Sequence, residues 1–121
     1  MLKRLACAVL LSLATIASAQ TYPSKPVRLI VGFPPGGGSD VVSRVIAQKL
    51  TEWWGQAVTV ENRAGATGTI GADAVAKAAP DGYTLLLGSS TPLAINATLH
   101  KSLPYDPAKD LVTVGMIAAS P

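Results

Sequence analysis

Val27-Arg28-Leu29-Ile30-Val31 runs directly into Gly32-Phe33-Pro34-Pro35-Gly36-Gly37-Gly38-Ser39-Asp40. A β-branched apolar run that stops at glycines and prolines reads as a buried strand ending in a sharp turn. Ser39 or Gly38 then caps a helix, with Asp40 in the first turn complementing its dipole. Val41, Val42, Val45, Ile46, Leu50, Trp53 and Trp54 recur at helical spacing, and Gly55 stops the helix. Both tryptophans are expected in core and edge packing. A strand, a tight glycine turn and a helix form the first half of a βαβ unit, and the fold class follows from it.

The same alternation continues downstream. Val58 to Glu61 reads as a second strand, and Asn62 to Gly68 as a loop. An Ala-rich helix is expected from Thr69 to Ala79, ended by Pro80-Asp81-Gly82. Tyr83 to Gly88 reads as a third strand. Thr91 is placed as the N-cap of a short helix with Pro92 at its first position, reaching about Leu99. After the irregular Leu103-Pro104-Tyr105-Asp106-Pro107, Leu111 to Ile117 reads as a fourth strand. The pattern is βαβαβαβ, an α/β fold with a parallel sheet and helices on both faces.

The chain has 121 residues, one small domain's length, with 49% hydrophobic and 14% charged residues. The excess apolarity sits at the front. Lys3 and Arg4 precede an uncharged stretch from Leu5 to Ile16, and Ala17-Ser18-Ala19 has the small-x-small form of a cleavage site. Residues 1–19 therefore read as a secretory signal peptide and 20–121 as the mature chain. Cys7 lies too early in the apolar run for a lipid-attachment cysteine. Without the signal, the ten Lys and Arg fall to eight against seven Asp and Glu, and no cysteine remains. The basic balance thus belongs to export, not to a nucleic-acid footprint. No second run long enough to span a bilayer follows, so no direct membrane insertion is expected after cleavage. A bacterial periplasm is the expected destination.

Little here supports catalysis. One His and one Cys cannot build a zinc site or a disulfide framework. His100 has no acidic neighbour in sequence. Ser39, Ser89 and Ser90 sit in no nucleophile-elbow pattern. Asp106 and Asp110, with Pro107 between them, read as a turn and cap. Gly32 to Ser39 fits the phosphate-loop spacing except at the lysine, where Gly38 stands. The dinucleotide fingerprint fails at Val41, although Glu61 follows at the right interval for its acidic residue. An exported nucleotide-binding enzyme fragment stays open as an alternative, as does a non-functional fragment.

The remaining signal is anion binding. A glycine turn feeding a helix N-terminus offers main-chain N–H groups and a favourable dipole. Thr67-Gly68-Thr69 and Ser89-Ser90-Thr91 could repeat that geometry, and in an open α/β sheet such loops share one edge. Arg63 is the cation nearest them in sequence. This points to a small carboxylate held by main-chain and hydroxyl donors, with plain turns and caps as the alternative. The Gly65-x-x-Gly68-x-x-Gly71 spacing reads as close backbone packing.

Five stretches together carry a family resemblance. They are Tyr22 to Arg28, Val31 to Asp40, Val60 to Gly68, Asp81 to Leu87 and Leu103 to Pro107. In that order they resemble the Bug family, the substrate-binding proteins (TctC) of tripartite tricarboxylate transporters. The resemblance implies a periplasmic binding protein of the type II, flytrap kind, which is not an enzyme and carries no cofactor. It implies a small carboxylate as ligand and the transporter's membrane subunits as partners. Carried over to this chain, ligand contacts fall on Phe33, Pro35, Gly36, Gly37, Ser39 and Asp40. Ala66, Thr67 and Gly68 follow, then Ser89, Ser90 and Thr91. Asp40 is expected to orient the loop more than to touch an anion. Family members are about three times longer than 102 residues, a length the resemblance supplies and a single domain would not need. Residues 20–121 are accordingly expected to be the first segment of lobe one, an incomplete lobe.

Overall fold

A computed structural model describes residues 21–119. The expected signal peptide, residues 1–19, lies outside the described residues. Three strands form a parallel sheet in the order β2-β1-β3: β1 (Val27–Val31), β2 (Val58–Asn62) and β3 (Thr84–Leu87). The α/β class and the first three strands are as the sequence pattern predicts. Helix α1 (Gly38–Trp54) links β1 to β2, and α2 (Thr69–Ala76) links β2 to β3. A wide turn, Thr91–Ile95, then leads into the short helix α3 (Asn96–Leu99).

Side chains alternate across the sheet, so Val27 and Leu29 face one side and Ile30 the other. Val27, Leu29, Val58 and Ala47 form a buried cluster, with Leu50, Trp54, Val60 and Leu85 packed around it. Helix α1 thus covers this face. Ile30 is also fully buried, and α2, whose Ala72 is fully buried too, lies against β1 and β3. Each such aliphatic side chain contributes about 1.5–3 kcal/mol by leaving water. Tyr22 meets Trp54 edge to face at 5.8 Å and Tyr83 at 5.2 Å, closing the end of the sheet where the strands begin.

Several local expectations need correction. Helix α1 buries Ser43 and Ala47 and half-buries Leu50 and Trp54, whereas Val41, Val42, Val45 and Trp53 stay exposed. The small residues at 43 and 47 let the helix approach the sheet, which turns the larger valines outward. The helix is capped by Gly37, one residue before the expected Gly38 and two before Ser39, with no side-chain capping bond. Helix α2 stops at Ala76, three residues early, as Ala78 N–H turns back to Val75 O. Thr91 is not an N-cap: Ser90 before it is already helical (φ −58°, ψ −29°), and no side chain caps the turn. The turn is wide: Asn96 N–H reaches back to Thr91 O, while Pro92 O accepts from the Tyr105 hydroxyl.

The fourth strand is not formed. Residues 111–119 have no regular structure, and Val112 and Val114 are each 89% exposed. A strand exists only through its ladder, and this segment pairs with no described neighbour. Among the described residues no helix is long and apolar enough to cross a membrane.

Candidate functional site

Parallel register decides where the loops go. Val31 is level with Asn62 on one side and with Leu87 on the other. All three strands therefore end together, and the loops after them (32–37, 63–68 and 88–90) emerge at one edge of the sheet. The chain steps from β1 outward to β2, then back across to β3. That reversal beside β1 makes the edge a topological switch point, where open α/β sheets bind ligands.

The loops do more than share an edge. Gly32 and Gly71 meet backbone to backbone: a methyl on Gly71 would lie 2.7 Å from Gly32 Cα. Gly68 has φ +90°, and a methyl there would lie 3.2 Å from Pro92 and 3.3 Å from the Phe33 ring. The first loop, through Phe33, and the turn that follows the third, through Pro92, thus close around the second at Gly68. The loops share one edge as expected, and the expected close backbone packing is observed at Gly68 and Gly71, both against Gly32, whereas Gly65 faces the Ile70 side chain. Gly36, Gly37 and Gly38 remain exposed, and methyls at Gly36 and Gly38 would meet nothing within 4 Å. Backbone at the start of α1 is therefore open to a ligand.

Asp40 is only 3% exposed, and its carboxylate is fully engaged. Oδ2 accepts from Gly36 N–H (2.9 Å) and from Arg44 Nε (2.9 Å), and Oδ1 accepts from Asn62 Nδ2 (2.9 Å). Asn62 Nδ2 also donates to Phe33 O at 3.1 Å. These bonds, led by that from Arg44, hold the Asp40 carboxyl well below the usual carboxylate range. Asp40 therefore ties the glycine loop to the end of β2. Arg63, the cation nearest the loops in sequence, pairs with Glu61 at 2.7 Å, and Arg28 joins the same carboxylate. Arg28 first and Arg63 second hold the Glu61 carboxyl low.

The second loop is unusual. Ala66 (φ +46°) and Thr67 (φ +53°) both take left-handed backbone, which L residues other than glycine rarely adopt. Both are exposed, while Gly68 is buried. In the third loop Ser89 Oγ is buried and has no hydrogen-bond partner among the described residues, Ser90 is exposed, and Thr91 just after it is half-buried. Pro35 is exposed, and Phe33 and Ser39 are half-buried.

Sequence reasoning missed three residues that build the cluster. Asn62 bridges the first loop and β2. Tyr105, buried, donates from its hydroxyl to Pro92 O at 2.6 Å and so braces the third loop. Burial pushes the Tyr105 phenol up. Asn96, buried at the start of α3, donates to Thr67 Oγ1 (3.1 Å) and Thr69 Oγ1 (2.9 Å). Only Asn96 had a usable signal, an amide side chain inside a helical run where it competes with the backbone.

The residues set aside for catalysis behave as expected. His100 is exposed. Asp110 Oδ2 accepts from Asp106 N–H (2.7 Å), Asp106 Oδ1 accepts from Ala108 N–H (3.0 Å), and Asp106 pairs with Lys109 (3.0 Å). The two carboxylates close a turn. Two open depressions lie away from the loop cluster, one lined by Arg44, Gln48 and Val60, the other by His100 and Tyr105. Neither gathers the main-chain donors that the loop edge does.

Comparison with known proteins adds four findings. The family described as "TctC: Tripartite tricarboxylate transporter family receptor" matches residues 42–121. Protein BugT of Bordetella pertussis is 54% identical over 110 residues, covering 90% of this chain and 34% of BugT. The solved structure of MatC from Rhodopseudomonas palustris with bound malate superposes with a TM-score of 0.69 at 39% identity, covering 74% of this chain and 30% of MatC. An R. palustris protein solved with adipate gives 0.69 at 40% identity, covering 72% and 29%. The chain thus spans about a third of the length of the curated relatives it matches.

Proposed function

This chain belongs to the tripartite tricarboxylate transporter receptor family, and on that premise we propose that it captures a small carboxylate in the periplasm for such a transporter. It is a binding protein, not an enzyme, and the transporter's membrane subunits are its partners. The observation that carries the reading is that the three strand-end loops share one edge, with Phe33 of the first and Pro92 of the turn after the third closing on Gly68, beside the exposed glycines that open α1.

The chemistry is that of main-chain recognition. Arg44 and Arg63 are each already paired with a carboxylate of this chain. The loop edge therefore offers an anion the N–H groups and dipole of α1, with hydroxyls from Ser39, Ser89, Ser90 and Thr91. Such donors select a carboxylate by geometry and hydrogen bonding and leave it chemically unchanged. Gly37, Ala66 and Thr67 supply backbone contacts, Gly36 and Gly68, whose N–H groups are bonded to Asp40 Oδ2 and Gly65 O, line the edge without a side chain, Phe33 and Pro35 shape the wall, and Asp40 acts from behind the loop. The likeness to structures solved with malate and adipate supports a dicarboxylate as the ligand.

Calorimetric titration of the full chain with L-malate, adipate and 1,6-hexanediol tests the reading. Saturable heat with a dicarboxylate and none with the diol is expected. Equal responses, or no response to either acid, would refute it.

A further inference from the structure

The second loop holds two consecutive non-glycine residues, Ala66 and Thr67, in left-handed backbone at an exposed position. Thr67 is β-branched, which makes that conformation least natural for it. Backbone of this kind persists only where its surroundings over-determine it, and it gathers at ligand clamps. The group that holds it is Asn96. Asn96 is 2% exposed, and its amide has two N–H donors. One goes to Thr67 Oγ1 at 3.1 Å and the other to Thr69 Oγ1 at 2.9 Å. The two threonines flank Gly68, around which Phe33 and Pro92 close. Asn96 itself stands where the wide turn ends, its N–H bonded to Thr91 O. A single buried amide therefore staples the second loop to the segment that follows the third.

We propose that Asn96 is a positioning residue: it locks Ala66 and Thr67 in their left-handed turn and so sets the affinity of the loop edge for a carboxylate without touching it. This rests on the carboxylate reading above. It differs from a purely structural bond in being local. The strands are held by their own ladders and the α1 cluster, to which Asn96 does not belong.

Asn96→Leu removes both donors at nearly constant volume, Thr69→Val removes one acceptor, and Thr69→Ser keeps it. All are made in the full chain. Two quantities are read: the dissociation constants for L-malate and adipate, and backbone amide exchange at Gly68, whose N–H is bonded to Gly65 O at 3.0 Å. In Asn96→Leu, Gly68 exchange rises about tenfold or more while the amides of Leu29 and Ile30 keep their protection. Dicarboxylate binding weakens by about tenfold. Thr69→Val shows the same effects more weakly, and Thr69→Ser matches the unsubstituted chain. Unchanged affinity in both Asn96→Leu and Thr69→Val, or loss of protection in β1 equal to that at Gly68, would overturn the inference. If the unsubstituted chain binds neither acid, the carboxylate reading fails and, with it, the assigned effect on affinity. The Gly68 exchange of the variants then decides separately whether Asn96 holds the turn.

Discussion

Gly71→Ala is the sharpest test of how the loop edge is assembled. The added methyl would lie 2.7 Å from Gly32 Cα, 3.1 Å from Gly32 N and 3.3 Å from Arg63 O. All three are backbone atoms, so no rotamer change relieves the contact. Carbon atoms prefer separations of about 3.5–4.0 Å, so α2 must retreat from β1 by roughly 1 Å. That retreat opens the packing of Ala72 and Ile30, both fully buried. Overpacking of this kind costs about 1–3 kcal/mol. Alanine returns roughly 0.5–1 kcal/mol through better helix propensity. The central net loss is about 1 kcal/mol, with about 2.5 kcal/mol as the upper limit, and each kcal/mol lowers Tm by roughly 4–8 °C for a domain of this size. Gly38→Ala is the control, because a methyl there meets nothing within 4 Å. It should change stability by less than about 0.5 kcal/mol. Urea unfolding of both variants, followed by far-UV circular dichroism, gives the comparison. A Gly71→Ala chain as stable as the parent, or a Gly38→Ala chain that loses more, would refute the backbone-contact account.

Other outcomes follow from the same geometry. Tyr105→Phe removes the hydroxyl that donates to Pro92 O inside the protein and should cost about 1–2 kcal/mol by denaturant titration. Ser89→Ala deletes a buried hydroxyl with no partner among the described residues, so Tm should hold or rise slightly while dicarboxylate affinity falls. A fall in Tm without a change in affinity would remove Ser89 from the site. Asp40, Glu61, Asp81 and Asp106 all have carboxyls depressed in the folded state, the first by the hydrogen bond from Arg44. Depressed groups bind more protons when unfolded, so their stabilisation is present above about pH 4–5 and lost as pH falls through the folded values. A pH series of melting curves should therefore drop steeply below pH 4, and a flat profile from pH 6 to pH 3 would contradict the ion-pair assignments.

The sheet was legible because its strands carry their own evidence. Val27–Val31 is a β-branched apolar run between proline and glycine with four of its five residues buried, whereas Val58–Asn62 and Thr84–Leu87, only partly buried, are marked by valine or leucine runs that stop at asparagine or glycine. The convergence of the three loops was legible for the same reason, since parallel strands must end at one edge. Leu111 to Ile117 has equally strand-like residues, but composition does not supply a neighbour, and there the pattern misled. The stripe on α1 misled differently: Ser43 and Ala47 line the sheet because they are small, a property that hydrophobic spacing does not weigh. Asn62, Asn96 and Tyr105 were missed because each acts on a partner distant in sequence, and a lone amide or phenol carries no trace of what it will meet. The left-handed pair Ala66 and Thr67 runs against local preference and is imposed by tertiary contacts.

The central claim is that the loops after β1, β2 and β3 form one carboxylate site, and a titration of the amide-labelled chain with L-malate, followed residue by residue in nitrogen–proton NMR spectra, tests it most directly. The account predicts saturable shifts concentrated at Gly36, Gly37, Ser39, Thr67, Gly68 and Ser90, moving with one common dissociation constant. Shifts gathered instead along the depression beside Arg44, Gln48 and Val60, or no saturable shift anywhere, would contradict it.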